Sequence, residues 1–160
     1  MNHGPEWVLF TYRLPREPST PRAALWRSLR RIGAAQIVDG LVALPDLERT
    51  REQIEWLAQT VRESGGDATV WTASLSSAAE RSRLIGEMTA ARSIEYAAIV
   101  ESAHALLDVE GADAAARRRS ARLLRREIHR VIRRDYFPSG ARDTAQVALD
   151  ALDPTIEVPS

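Results

Sequence analysis

Apolar and polar positions change period five times along the chain, and each change marks a predicted element. Trp7-Val-Leu-Phe-Thr-Tyr, running to Leu14, is dense in strand formers and bounded by Pro5 and Pro15. Leu25, Leu29 and Ile32 then recur on one helical face. Ser19 or Thr20 stands at the N-cap, Pro21 in the first turn and Gly33 at the stop. Two short apolar runs, Gln36-Ile37-Val38 and Leu41 to Leu44, flank Asp39-Gly40. An Asp-Gly pair in that setting predicts a hairpin with a type I′ turn, positive in φ at both central residues. A second helix starts at Asp46 or Thr50, carries the stripe Leu47, Ile54, Leu57, Val61, and closes at Gly65-Gly66. Asp67 to Ala73 is the last strand. The order βαββαβ predicts an α+β fold, the ferredoxin-like plait, over residues 1–75.

From residue 76 to 160 the period is helical throughout, which predicts a helical subdomain packed on the plait. Ser77-x-x-Glu80 has the form of a capping box. The stripe Leu84, Met88, Ala91, Glu95, Ile99, Ala103, Leu106 follows, with Glu95 interrupting its centre. Gly111 and Asp113 mark a turn. Leu124, Ile128, Val131 and Ile132 form the stripe of the next helix, which ends near Asp135. Tyr136 to Gly140 reads as a turn, Thr144 to Leu152 as a short closing helix, and Pro154 to Ser160 as a frayed tail.

Composition changes this picture in one respect, charge. All 22 basic residues are arginine, against 22 acidic ones. From Arg117 to Arg134 there are nine arginines and one acid, Glu127, whereas Glu95 to Asp113 holds five acids and no arginine. The arginines fall into two clusters. One surrounds the first helix: Arg13, Arg16, Arg22, Arg27, Arg30 and Arg31. The other follows the second stripe, with Arg118, Arg122, Arg125 and Arg126 at its centre. Guanidinium groups bind anions in bidentate geometry and cannot serve as a lysine base. Three uses are open: a solvated face paired with the neighbouring acids, contact with DNA phosphates, or capture of a small oxyanion. Arg92, Glu95 and Tyr96, with Arg134 and Asp135, are expected to form a buried polar network joining the helices to the sheet.

Other chemistry is not signalled. Cysteine is absent, so disulfides and thiolates are excluded. His3, His104 and His129 lack metal-ligand spacing, and Ser19, Ser76, Ser77 and Ser139 lack a nucleophile-elbow context. Gly65-Gly66 precedes a strand, so it is not a phosphate loop. No catalytic residue, metal or cofactor is therefore expected. No apolar run reaches membrane-spanning length and no secretory signal precedes Trp7, so a cytoplasmic protein without membrane contact is expected. Trp7, Trp26, Trp56 and Trp71 are expected to pack in the core or at an interface.

One resemblance gathers these residues. Leu14-Pro15, the helix Pro21-Arg-x-x-x-Trp26-Arg27-x-Leu29-x-x-Ile32-Gly33, and Asp39-Gly40 with Leu44-Pro45 resemble the N-terminal region of the ChrB family. Arg92-x-x-Glu95-Tyr96 and Arg134-Asp135-Tyr136-Phe137 resemble it too, although the family usually has Phe-Phe in the second motif. The resemblance implies a cytosolic protein of bacterial chromate-resistance loci, acting as a chromate-responsive transcriptional regulator. Regulatory members often carry a further C-terminal domain, and this sequence stops before one. The plait is also similar to the module of the PaaX repressor family and of CRISPR adaptation nucleases. The nucleases have a metal-binding Asp where this chain has Thr11-Tyr12-Arg13, so a divalent-metal nuclease is not expected. The expected function is regulatory contact with DNA or a partner, as a homodimer formed through the plait. The alternatives are a structural subunit that docks a separate C-terminal domain, and an enzyme or sensor acting on chromate or another small oxyanion.

Overall fold

β1 (Trp7–Arg13) runs through the middle of a four-stranded antiparallel sheet, between β3 (Leu41–Pro45) and β4 (Asp67–Ala73), with β2 (Ala35–Val38) outside β3. This computed structural model describes residues 6–108 and 113–152. The two-residue period of β1 selects the core face. Val8 and Phe10 stand opposite Leu44 and Val42, and all four are buried. α1 (Thr20–Ile32) adds buried Leu25 and Leu29. α2 (Glu48–Glu63) adds Ile54, Leu57, Ala58 and Val61, and packs on β1, on β4 and against α1. The strand order and the two helices make the ferredoxin-like plait that the sequence predicts.

Four local expectations are corrected. In the β2–β3 turn only Gly40 has positive φ, at 76°, so the turn is not type I′. A register shift between Gln36 and Val38 takes up the mismatch that the primed turn would otherwise have relieved. Thr50 does not start α2 but sits at its third position. There its buried hydroxyl donates to Pro45 O at 2.6 Å and accepts from Leu47 N–H at 3.0 Å, which caps the helix in reverse. Ser19 precedes α1 without a side-chain cap bond. Core packing holds for Trp7 alone. Trp26, Trp56 and Trp71 are 50%, 65% and 54% exposed. The two helical ones lie off the buried stripes, and Trp71 pairs with Leu9 on the sheet face opposite Phe10.

Helices form the rest: α3 (Ala78–Asp108), α4 (Ala114–Arg133) and α5 (Gly140–Asp150). The chain divides into two compact units, residues 1–85 and 86–160, so the opening turns of α3 count with the sheet. At the start of α3, Glu80 N–H donates to Ser77 Oγ at 3.1 Å. The Glu80 carboxylate accepts from both Ser76 and Ser77, and these bonds hold its pKa below the usual carboxylate range. The core of the second unit is one cluster of Tyr96, Ile99 and Ala103 with Ala121, Ile128, Val131, Ala145, Ala148 and Leu149. Ser139 Oγ accepts from Ala141 N–H, so α5 begins at Gly140, four residues before Thr144. Glycine at that point opens the helix instead of ending a turn. His3, the turn at Gly111 and the tail Pro154 to Ser160 lie outside the described residues.

Candidate nucleic-acid interface and charge cluster

Helical spacing decides which arginines share a face. On α1, Arg22, Trp26 and Arg30 recur every four residues, while Arg27 and Arg31 lie on a second row. The structure gives several of these groups local work. Arg22 Nη2 donates to Pro15 O at 3.0 Å, and the Arg30 guanidinium lies 4.7 Å over the Trp26 ring. Arg31 borders a groove of about 370 Å³ between α1 and α2, beside Trp56. Arg13 is tied to Asp67 across the sheet at 2.8 Å. The first cluster therefore does not converge on one point.

α4 differs. Arg118, Arg122 and Arg126 form an exposed i, i+4, i+8 row, which His129 and Arg133 extend and Arg119 and Arg130 flank. From Arg118 to Arg133 the row runs about 22 Å at 1.5 Å per residue. Arg130 bonds Glu127 at 3.0 Å. Among the described residues, Arg118, Arg122, Arg126 and Arg133 have no carboxylate at salt-bridge distance. Arg125 stands apart, half-buried and engaged within the protein. The part of the row at His129 and Arg133 was legible too, because both follow Arg126 at helical intervals.

The second constellation is built on α3 and the end of α4. Glu95 Oε1 lies 2.8 Å from Arg92 Nη2, and Glu95 Oε2 lies 2.5 Å from Arg134 Nη2. Tyr96 is buried, and its hydroxyl donates to Asp135 Oδ2 at 2.9 Å. Burial raises the Tyr96 phenol above its ordinary range, and the bond to Asp135 raises it further. Burial lowers the Arg92 pKa against the pull of Glu95, and the Arg134 charge lowers it further. All five residues lie within the helical unit, and these bonds join one turn of α3 to the end of α4. The reason is spacing: Arg92, Glu95 and Tyr96 occupy one turn of α3, and Arg134-Asp135 ends α4 beside it. Two arginines face two carboxylates, so the cluster is close to neutral. A dianion would have to displace Glu95 from both guanidiniums. The shallow hollow at Thr11, Arg13 and Asp67 is neutralised in the same way. Among the described residues, no three His, Cys, Asp or Glu side chains gather as a metal site. No described helix is long and apolar enough to cross a membrane.

Comparison of the sequence with known proteins identifies a family. A family model described as Protein ChrB, N-terminal, matches residues 22–157. Protein ChrB of Cupriavidus metallidurans is 29% identical over 153 residues, covering 95% of this chain and 47% of that protein. The chain thus spans about half the length of the curated relative it matches. No solved structure matches. The matched residues take in most of the plait and all three C-terminal helices, and the chain belongs to the ChrB N-terminal family.

Proposed function

We propose that this chain is a DNA-contacting module of a chromate-resistance regulator in the bacterial cytosol, and that α4 makes the contact. Family membership supports the regulatory role. The observation that carries the contact is the α4 row, in which Arg118, Arg122, Arg126 and Arg133 are exposed and lack carboxylate partners among the described residues. Parallel guanidiniums over about 22 Å suit a phosphate backbone, which presents charge at regular intervals and accepts bidentate bonds. The neutral Glu95 cluster acts as structure in this reading: it fixes the end of α4 on α3 and so holds the row straight.

Fluorescence anisotropy tests the proposal with the whole chain and duplex DNA from upstream of its own gene. Binding is expected at 50 mM salt, with affinity falling by ~100-fold at 200 mM if about four phosphates are neutralised. No binding at the lower salt, or binding indifferent to salt, overturns it.

A further inference from the structure

A second feature of the helical unit has no role in DNA contact. α3 and α5 leave an open groove of about 660 Å³ between them. Its lining is mostly small, with Ala97, Val100 and Ala105 from α3 and Ala141 from α5, and His104 stands beside Ala105 as the one large uncharged side chain. Glu101 and Asp108 border it. Among the described residues neither carboxylate has an ion-pair partner. Short side chains let a neighbouring helix approach closely, and free carboxylates at the border select a basic one.

We propose that the occupant is α4 of a second copy of this chain. Three observations converge on it. The first is charge: α4 has the densest row of partnerless cations among the described residues, and by its exposure that row faces away from its own core. The second is spacing. Glu101 and Asp108 stand seven residues apart on α3, and Arg119 and Arg126 stand seven apart on α4, so both pairs repeat every two turns, about 10 Å. The third is shape. Leu123, midway between those arginines, is 62% exposed, an isolated apolar knob in a charged face. In register, Glu101 and Asp108 bracket Ala105, and Arg119 and Arg126 bracket Leu123. The knob then meets the small floor while each guanidinium meets a carboxylate. Groove and knob are different patches of one unit, and the dimer closes when a two-fold axis brings each α4 into the other copy's groove. This surface is separate from the sheet face; it shares Arg126 with the proposed DNA contact, so self-association and DNA compete for α4, and the dimer is tested without DNA.

Sedimentation velocity of the whole chain over a concentration series tests it without DNA. A monomer–dimer equilibrium is expected at 50 mM salt, shifting to monomer at 500 mM. Leu123→Asp, and separately the pair Glu101→Arg with Asp108→Arg, should each weaken the dimer at least ~10-fold while circular dichroism stays unchanged, since all three residues are exposed. Arg119→Glu with Arg126→Glu should do the same alone. Mixing the two charge-reversed chains should restore a heterodimer. The proposal fails if the wild-type chain is monomeric at every concentration. It also fails if the dimer survives both groove and knob variants, or is lost only on Trp71→Arg, which would place self-association on the sheet.

Discussion

The Tyr96 hydroxyl donates to Asp135 Oδ2 at 2.9 Å and so fastens the middle of α3 to the residue just beyond α4. Tyr96 is 1% exposed, and the other oxygen of Asp135 is buried without a hydrogen-bond partner among the described residues. The phenol gives this carboxylate a hydrogen bond in place of water, beside the charge of Arg92.

Replacing Tyr96 by Phe removes that donor and leaves Asp135 desolvated. A loss of about 1–3 kcal/mol is expected, read by urea denaturation. The pH dependence has a definite sign. The folded phenol titrates above its ordinary value of 10.0, so the native state holds the proton after the unfolded chain has released it. This contribution is fully present below about pH 10 and is lost as pH rises above it. Tyr96→Phe should flatten the alkaline fall in stability, leaving the part due to Tyr12, whose phenol burial also raises.

Glu95 balances two arginines at once, so Glu95→Gln leaves both Arg92 and Arg134 short of a counter-charge. The groups are mostly but not fully buried, with side-chain exposures of 14%, 17% and 29% for Arg92, Arg134 and Glu95. The cost should fall between surface and buried pairs, about 1–3 kcal/mol. A double-mutant cycle with Arg134→Ala should show non-additivity. Additive losses would mean the pair is not coupled.

Gly40→Ala tests the hairpin. Its φ of 76° is unfavourable for an L side chain, and an added Cβ would lie 2.6 Å from Tyr12 O. Gly40 O also accepts from Tyr12 N–H at 2.8 Å, so the turn cannot relax without loosening β1. A loss of at least about 1–2 kcal/mol is expected in thermal unfolding.

On DNA, Arg122→Ala and Arg126→Ala should each lower the slope of log affinity against log salt by about 1, with little change in sequence preference. Arg22→Ala is the comparison, because Arg22 bonds Pro15 O. An unchanged slope in both α4 variants would remove α4 from the interface.

Much of this architecture was legible because it rests on periodicity. Val8 and Phe10 alternate as a strand requires, and Leu25 and Leu29 recur as a helix requires. The partners in the Glu95 cluster were legible as well, since Arg92 and Glu95 are three apart and Arg134-Asp135 ends a helix. What was not legible depends on three-dimensional context. Thr50 reads as a helix start, yet its hydroxyl works from inside the first turn. Trp26, Trp56 and Trp71 read as core or interface by chemistry alone, and only the direction of each Cβ takes them out of the core.

The absence of lysine has a regulatory consequence. A guanidinium stays protonated across the physiological range, and it is not a substrate for the acetyl groups that silence lysine-rich surfaces. The α4 face therefore cannot be discharged by that modification. On the proposed reading, ionic strength, a rival polyanion or an acidic groove would set how much of this surface is occupied, so occupancy is the variable a cell can adjust.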